Sequence, residues 1–226
     1  MEIPLFPLPG VVLFPNIILP LHIFEDRYKQ MINLCIESGE AFGLIQLREG
    51  AQEETEKTIH RVGTMARLVE IERLDAGRLN ILCQGESRFR VSRFIPDDAP
   101  YWKAEVTFFD DDPVDELRLR SLYEEVTIAY RKAFDLGVQL KTVNPSELQL
   151  PDAPADLSFM ISYVLDIAGE EKQKLLEMKS TEARLQTLLL QIDNVTRTLE
   201  QQLAYKAIVK KVRGNGDLGQ PSSSGG

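Results

Sequence analysis

What this sequence has little of removes most enzyme classes at the outset. Only two histidines, His22 and His60, and two cysteines, Cys35 and Cys83, occur in 226 residues, and no grouping of them has the spacing of metal ligands. Each cysteine has apolar neighbours (Leu34 and Ile36; Ile81 and Leu82), the setting of a buried thiol rather than a disulfide framework. No glycine precedes a lysine, so the phosphate-wrapping loop of nucleotide hydrolases is missing. The nearest look-alike to a nucleophile turn, Gly85-Glu86-Ser87-Arg88, lacks the second glycine and any nearby histidine or lysine. No run approaches the ~20 continuous apolar residues of a membrane-spanning helix. The opening Met-Glu-Ile-Pro has neither the basic flank nor the apolar stretch of an export signal. These absences predict a non-catalytic protein without metal or cofactor, away from membranes and kept in the reducing cytoplasm.

Positive charge is also scarce. The chain holds 26 Lys+Arg against 35 Asp+Glu, for a formal net charge of −9. The imbalance is concentrated early: residues 1–113 carry 19 acids against 12 bases, and residues 114–226 carry 16 against 14. A front half of this sign repels phosphate backbones, so nucleic acid is not an expected partner. Glu70 and Glu72 share one face of an alternating strand. Paired carboxylates can serve acid/base chemistry, but on an exposed strand face they read as solvated. Asp110-Asp111-Asp112 reads as a solvated helix cap, because consecutive residues rarely converge on one cation.

What is present divides into two halves. Prolines 4, 7, 9, 15 and 20 break the opening into short apolar runs, and proline's missing donor confines such runs to sheet edges and irregular extended segments. From Phe24 to Ser38 the period becomes helical, with Tyr28, Met31, Ile32, Cys35 and Ile36 on one face and Gly39 as the stop. Strands resume at Phe42–Leu47, Val62–Leu74, Leu79–Leu82, Phe89–Phe94 and Trp102–Phe109, with turn chemistry at Asp75-Ala76-Gly77. The polar loop Arg48–Lys57 holds too few apolar residues to order itself and reads as mobile. Helices follow: one from Asp112 as cap and Pro113 to Leu136, stopped by Gly137, two shorter ones over 155–167 and 169–178, and a long last one from Thr181. The expected architecture is α+β, a curled β-rich unit over 1–113, a helical unit over 114–212 and a disordered tail over 213–226.

Three segments carry a family resemblance. The first is Pro4-Leu5-Phe6-Pro7-Leu8, Val11-Val12-Leu13-Phe14-Pro15 and Leu19-Pro20-Leu21-His22-Ile23-Phe24-Glu25 with Arg27-Tyr28. The second is Arg61-Val62-Gly63-Thr64 with Gly85, Arg88 and Phe89. The third is Glu171-Lys172-Gln173, Leu175-Leu176-Glu177, Arg184-Leu185 and Leu188-Leu189. In this order and spacing they resemble the N-terminal, substrate-binding domain of the ATP-dependent Lon proteases. The resemblance implies a PUA-like pseudobarrel followed by a helical bundle ending in a long helix. It also implies a domain that captures unfolded or tagged polypeptides without ATPase or peptidase chemistry of its own, or that adapts clients to a separate protease or chaperone machine.

The apolar density of the broken opening makes Phe14, Ile18 and Phe24 the candidate polypeptide-binding residues, since irregular backbone buries its side chains less completely than a regular sheet. Of the three, Phe24 leads into the helix and is expected to pack beneath it. The alternative reading is a small-ligand or RNA-binding PUA-like module, with Tyr101 and Trp102 beside Arg88, Arg90 and Arg93 as its stacking site. Self-association through the apolar stripe of the last helix is a third option, against the simpler expectation that the stripe packs on its own bundle.

Overall fold

The structure, a computed structural model, describes residues 1–96, 98–144 and 148–215. Six strands, β1 (Glu2–Pro9), β2 (Ile18–Ile23), β3 (Phe42–Leu47), β4 (Ile59–Arg73), β5 (Leu79–Ile95) and β6 (Trp102–Phe109), form one mixed sheet in the order β2-β5-β4-β3-β1-β6, and β5 also pairs with β6. That extra pairing closes five strands into a barrel and leaves β2 outside the circuit as an edge strand on β5.

The long β5 makes both arrangements possible. Its first part, to Gln84, pairs with β2, and its second, from Arg88, pairs with β6. Sequence patterning gives two separate runs here, Leu79–Leu82 and Phe89–Phe94, with Gly85-Glu86-Ser87 between them readable as strand or turn. The glycine has another purpose: a Cβ at Gly85 would lie 2.1 Å from the Phe14 carbonyl oxygen, so only glycine lets that segment cross the strand.

The proline-rich β1 also departs from expectation, since it lies inside the barrel, parallel to β3 and antiparallel to β6. The two partners cover different stretches: β6 pairs with Glu2–Leu5 and β3 with Leu5–Pro9. Over most of its length β1 therefore has a neighbour on one side only, and a proline facing the other side forfeits no ladder bond.

Five α-helices complete the described chain: α1 (Asp26–Ser38), α2 (Glu116–Leu140), α3 (Pro154–Val164), α4 (Gly169–Glu177) and α5 (Thr181–Asn215). α1 ends at Gly39 in the left-handed conformation (φ 71°) and buries Tyr28, Met31, Ile32 and Cys35. α2 starts later than the sequence suggests, with Asp115 rather than Asp112 accepting a cap bond from the Leu117 amide, and it runs through Gly137 to a left-handed Lys141. α5 buries Leu185, Leu188 and Ile192 within its own bundle, which uses this part of the stripe considered for self-association. It continues through 213–215, inside the segment assigned to a tail; the remainder, 216–226, lies outside the described residues.

A buried ionic joint ties barrel to bundle. The Asp111 carboxylate, just past β6, accepts from Arg88 on β5 and from Arg184 and Thr181 on α5. Arg88 also donates to the Leu176 carbonyl at 2.9 Å and the Met178 carbonyl at 2.6 Å. Arg184, wholly buried, donates through Nε to Ser158 Oγ at 2.7 Å and lies 4.0 Å over the Phe159 ring. Burial opposes ionisation of Asp111, but the Arg184 and Thr181 hydrogen bonds and the two guanidinium charges outweigh it and hold the carboxyl below its ordinary range. Buried charges endure only when paired this fully.

Candidate functional site

The three residues singled out by the sequence do not share an environment. Phe14 has no exposed surface and packs against Phe159 of α3 at 6.1 Å between ring centroids. The segment carrying it is irregular, yet it is sealed: Thr64 donates its hydroxyl to the Leu13 carbonyl at 2.6 Å, and the Asn16 amide bonds to the Gly85 carbonyl at 2.8 Å. Phe14 is therefore core, closed to a client in this fold. Irregular backbone does not imply exposed side chains when neighbouring elements supply its hydrogen bonds.

Ile18 and Phe24 are different. They are 44% and 60% exposed, and both belong to one stripe. Side chains alternate along a strand, so Ile18, Pro20 and His22 point away from the α1 side, while Leu19 and Ile23 point into the core with Cys83 and Leu79. Phe24 extends the stripe beyond the end of β2, its ring stacked on His22 at 5.9 Å and 24°. The expectation that Phe24 packs beneath α1 is thus reversed, because α1 fills its space under the sheet with Tyr28, Met31, Ile32 and Cys35.

Across the sheet this stripe continues in transverse rows. Pro20 lies opposite Leu82, itself opposite Glu70; His22 lies opposite Asn80, itself opposite Glu72. The rows line a shallow groove of about 480 Å³. One wall is apolar and aromatic, supplied by β2, and the other carries two carboxylates, supplied by β4. A chain of hydrogen bonds crosses the floor: His22 Nδ1 to Asn80 Oδ1 at 2.8 Å, and Asn80 Nδ2 to Glu72 Oε2 at 2.7 Å. Sequence reasoning found the apolar wall in part and placed Glu70 and Glu72 on one face. It missed Pro20, His22, Asn80 and Leu82, although the spacing 18, 20, 22, 24 was available as a signal. Their convergence depends on β2 pairing with β5, which local sequence does not reveal.

Other expected features fall apart or tighten. Arg88 is buried in the joint, Arg93 pairs with Glu105 at 2.6 Å, and Trp102 packs edge-on against Phe94 at 5.4 Å, so Tyr101, Trp102 and the arginines do not converge on a stacking platform. The loop expected to be mobile is pinned by Glu54. Its carboxylate accepts both Arg27 terminal nitrogens at 2.7 and 2.6 Å, the Tyr28 hydroxyl at 3.0 Å and the Trp102 indole nitrogen at 3.2 Å. A second concavity of about 320 Å³ lies in the bundle, lined by Phe134, Leu150, Met160, Val164 and Leu199 among others. Among the described residues no group of three or more His, Cys, Asp or Glu is placed to hold a metal ion, and no helix is long and apolar enough to cross a membrane.

Comparison with known proteins gives this arrangement a context. A family model described as the ATP-dependent protease La (LON) substrate-binding domain matches residues 2–194. The Lon protease of Desulfosudis oleivorans is 26% identical over 217 residues, covering 93% of this chain and 25% of that protein. The Lon protease of Escherichia coli strain K12 is 23% identical over 211 residues, 93% of this chain and 27% of its own length. The chain thus spans about a quarter of the relatives it matches. Among solved structures, a Lon N-terminal domain protein from Xanthomonas campestris superposes with a TM-score of 0.62 at 23% identity, over 84% of this chain and 98% of that one. The N-terminal domain of the Mycobacterium avium complex Lon protease gives 0.60 at 16% identity, over 85% and 98%.

Proposed function

The chain belongs to the LON substrate-binding domain family, and from that premise we propose that it is a non-catalytic polypeptide-recognition module that captures unfolded client segments on the outer face of β2. The observation that carries this reading is the unpartnered stripe Ile18–Pro20–His22–Phe24 on an edge strand, beside an open groove. Contiguous exposed apolar side chains beside a groove are the kind of surface that binds a partner. Its shape suits an extended segment lying along the groove, whose successive side chains point to opposite walls. Pro20 at the centre of the free edge removes a donor there, which disfavours full strand addition and shifts recognition to the side chains. Delivery of clients to a separate protease or chaperone machine, and residence in the cytoplasm, complete the proposal.

The test is a binding isotherm with one client in two states, native and permanently unfolded by reduction and alkylation. Affinity for the unfolded form is expected near micromolar, because a short extended segment buries limited area and loses conformational freedom on docking. The native form should not bind. Phe24→Asp and Ile18→Asp should weaken binding about tenfold, equivalent to ~1.4 kcal/mol, at an unchanged melting temperature. Equal affinity for both client states defeats the reading. So does binding that survives both substitutions.

A further inference from the structure

We infer that the β2 groove, taken as the polypeptide site proposed above, selects segments in which lysine or arginine alternates with apolar residues and rejects acidic ones. The inference rests on an asymmetry of charge across the groove. On the β2 side the lining is Pro20, Leu21 and His22, the last donating to Asn80, with Ile18 and Phe24 flanking them. On the β4 side both rows end in a carboxylate, Glu70 opposite Leu82 and Glu72 opposite Asn80.

Neither carboxylate is neutralised. Among the described residues Glu70 has no cation partner and Glu72 accepts only the neutral Asn80 amide. Neighbouring bases are committed elsewhere. Arg67, one row along, donates to Gln84 at 2.8 Å and to Glu86 at 2.5 Å, and Arg73 donates to Asn33 at 3.1 Å. Two carboxylates without a cation partner among the described residues therefore face a wall of Pro20, Leu21 and His22 on an exposed sheet face. A segment lying across the rows sets its apolar side chains against Pro20, Leu82 and Phe24 and its cationic ones against Glu70 and Glu72. An acidic segment of equal apolar content meets the same carboxylates as repulsion, and specificity gains from both effects. Exposed pairs are individually weak, so two of them amount to a preference of about tenfold rather than an absolute choice.

The probes are three short fluorescein-labelled peptides sharing one leucine/phenylalanine pattern, with lysine, glutamate or asparagine at the intervening positions. Affinities of the first two are expressed relative to the asparagine peptide. The full chain should favour lysine over glutamate about tenfold at low salt, and the ratio should collapse near 1 M salt, where charge acts over only ~3 Å. The Glu70→Gln/Glu72→Gln double variant should lose the preference, and Glu70→Lys/Glu72→Lys should invert it. Both positions are solvent-facing, and circular dichroism of each variant establishes that it is folded. Equal affinities for the lysine and glutamate peptides in the wild type overturn the charge selection while leaving recognition standing. A lysine preference that survives both double variants overturns it as well. If none of the three peptides binds, the recognition reading itself fails.

Discussion

Phe14 and Phe24 stand ten positions apart in the same proline-broken opening, and they have opposite fates. Phe14 is wholly buried at the junction of barrel and bundle, and Phe24 is 60% exposed on the outside of the sheet. Residue type and local composition are the same, so neither explains the outcome. What separates them is what lies opposite. The Phe14 segment crosses β5 at Gly85, where no side chain obstructs it, and meets α3 and Thr64. Phe24 follows an edge strand whose inner face is already filled by α1. Apolar residues in irregular backbone are thus structural or available according to whether a second layer covers them.

The inner region should respond to mutation through stability alone. Removing the single carboxylate of the buried joint is a severe perturbation, since it strands both guanidiniums: Asp111→Ala is expected to cost about 3–5 kcal/mol in urea unfolding. A loss below 1 kcal/mol would show that the joint is dispensable. Asp111 adds a pH dependence of definite sign. Its folded-state pKa lies below the ordinary value, so its contribution is complete above about pH 3.9 and disappears as pH falls through the lower folded value. Asp111→Asn should lower the urea midpoint at pH 7 and flatten its decline in acid. An unchanged acid limb would assign acid unfolding to other carboxylates.

Phe14→Ala should cost about 3–5 kcal/mol by leaving a cavity between the layers, whereas Phe24→Ser should change stability by no more than ~0.5 kcal/mol, as exposed substitutions do. Comparable losses at the two sites would erase the contrast.

Smaller effects sharpen it. At Gly63 a Cβ would lie 2.4 Å from the Leu44 carbonyl oxygen and 2.7 Å from Phe89 Cζ, so Gly63→Val should destabilise by on the order of 1–3 kcal/mol. An unchanged melting temperature would mean that the barrel wall yields there without strain. Glu54→Ala leaves the Trp102 and Tyr28 donors without their acceptor, a loss of about 1–3 kcal/mol. Because Trp102 is the only tryptophan, its emission reports the event directly. A spectrum and protease sensitivity identical to wild type would show that the loop is held by something else.

Much of the fold was legible in the chain. The strand runs Phe42–Leu47 and Trp102–Phe109 matched β3 and β6 to the residue, and the three-and-four spacing marked α1 and α5. The failures share one cause. β1 looked like an edge because of its prolines, yet staggered partners accommodate them. The Arg48–Lys57 loop looked mobile because it lacks apolar residues, yet Glu54 is clasped by Arg27, Tyr28 and Trp102, remote in sequence. Asp111 looked like a solvated cap, yet it receives arginines from β5 and α5. In each case a polar side chain or a proline is decided by a long-range partner, and local pattern is silent on partners. The candidate site was half legible for the same reason: its β2 wall follows from alternation, and its other wall follows from β5 and β4 pairing behind it.

The central claim is that the outer face of β2, and not the bundle concavity, receives unfolded polypeptide. Amide hydrogen exchange of the full chain with and without saturating unfolded client tests it most directly. The account predicts added protection at Ile18–Phe24 and Glu70–Glu72, with no change around Phe134, Met160 and Val164. Protection confined to the bundle concavity, with β2 exchanging at the same rate in both samples, would contradict it.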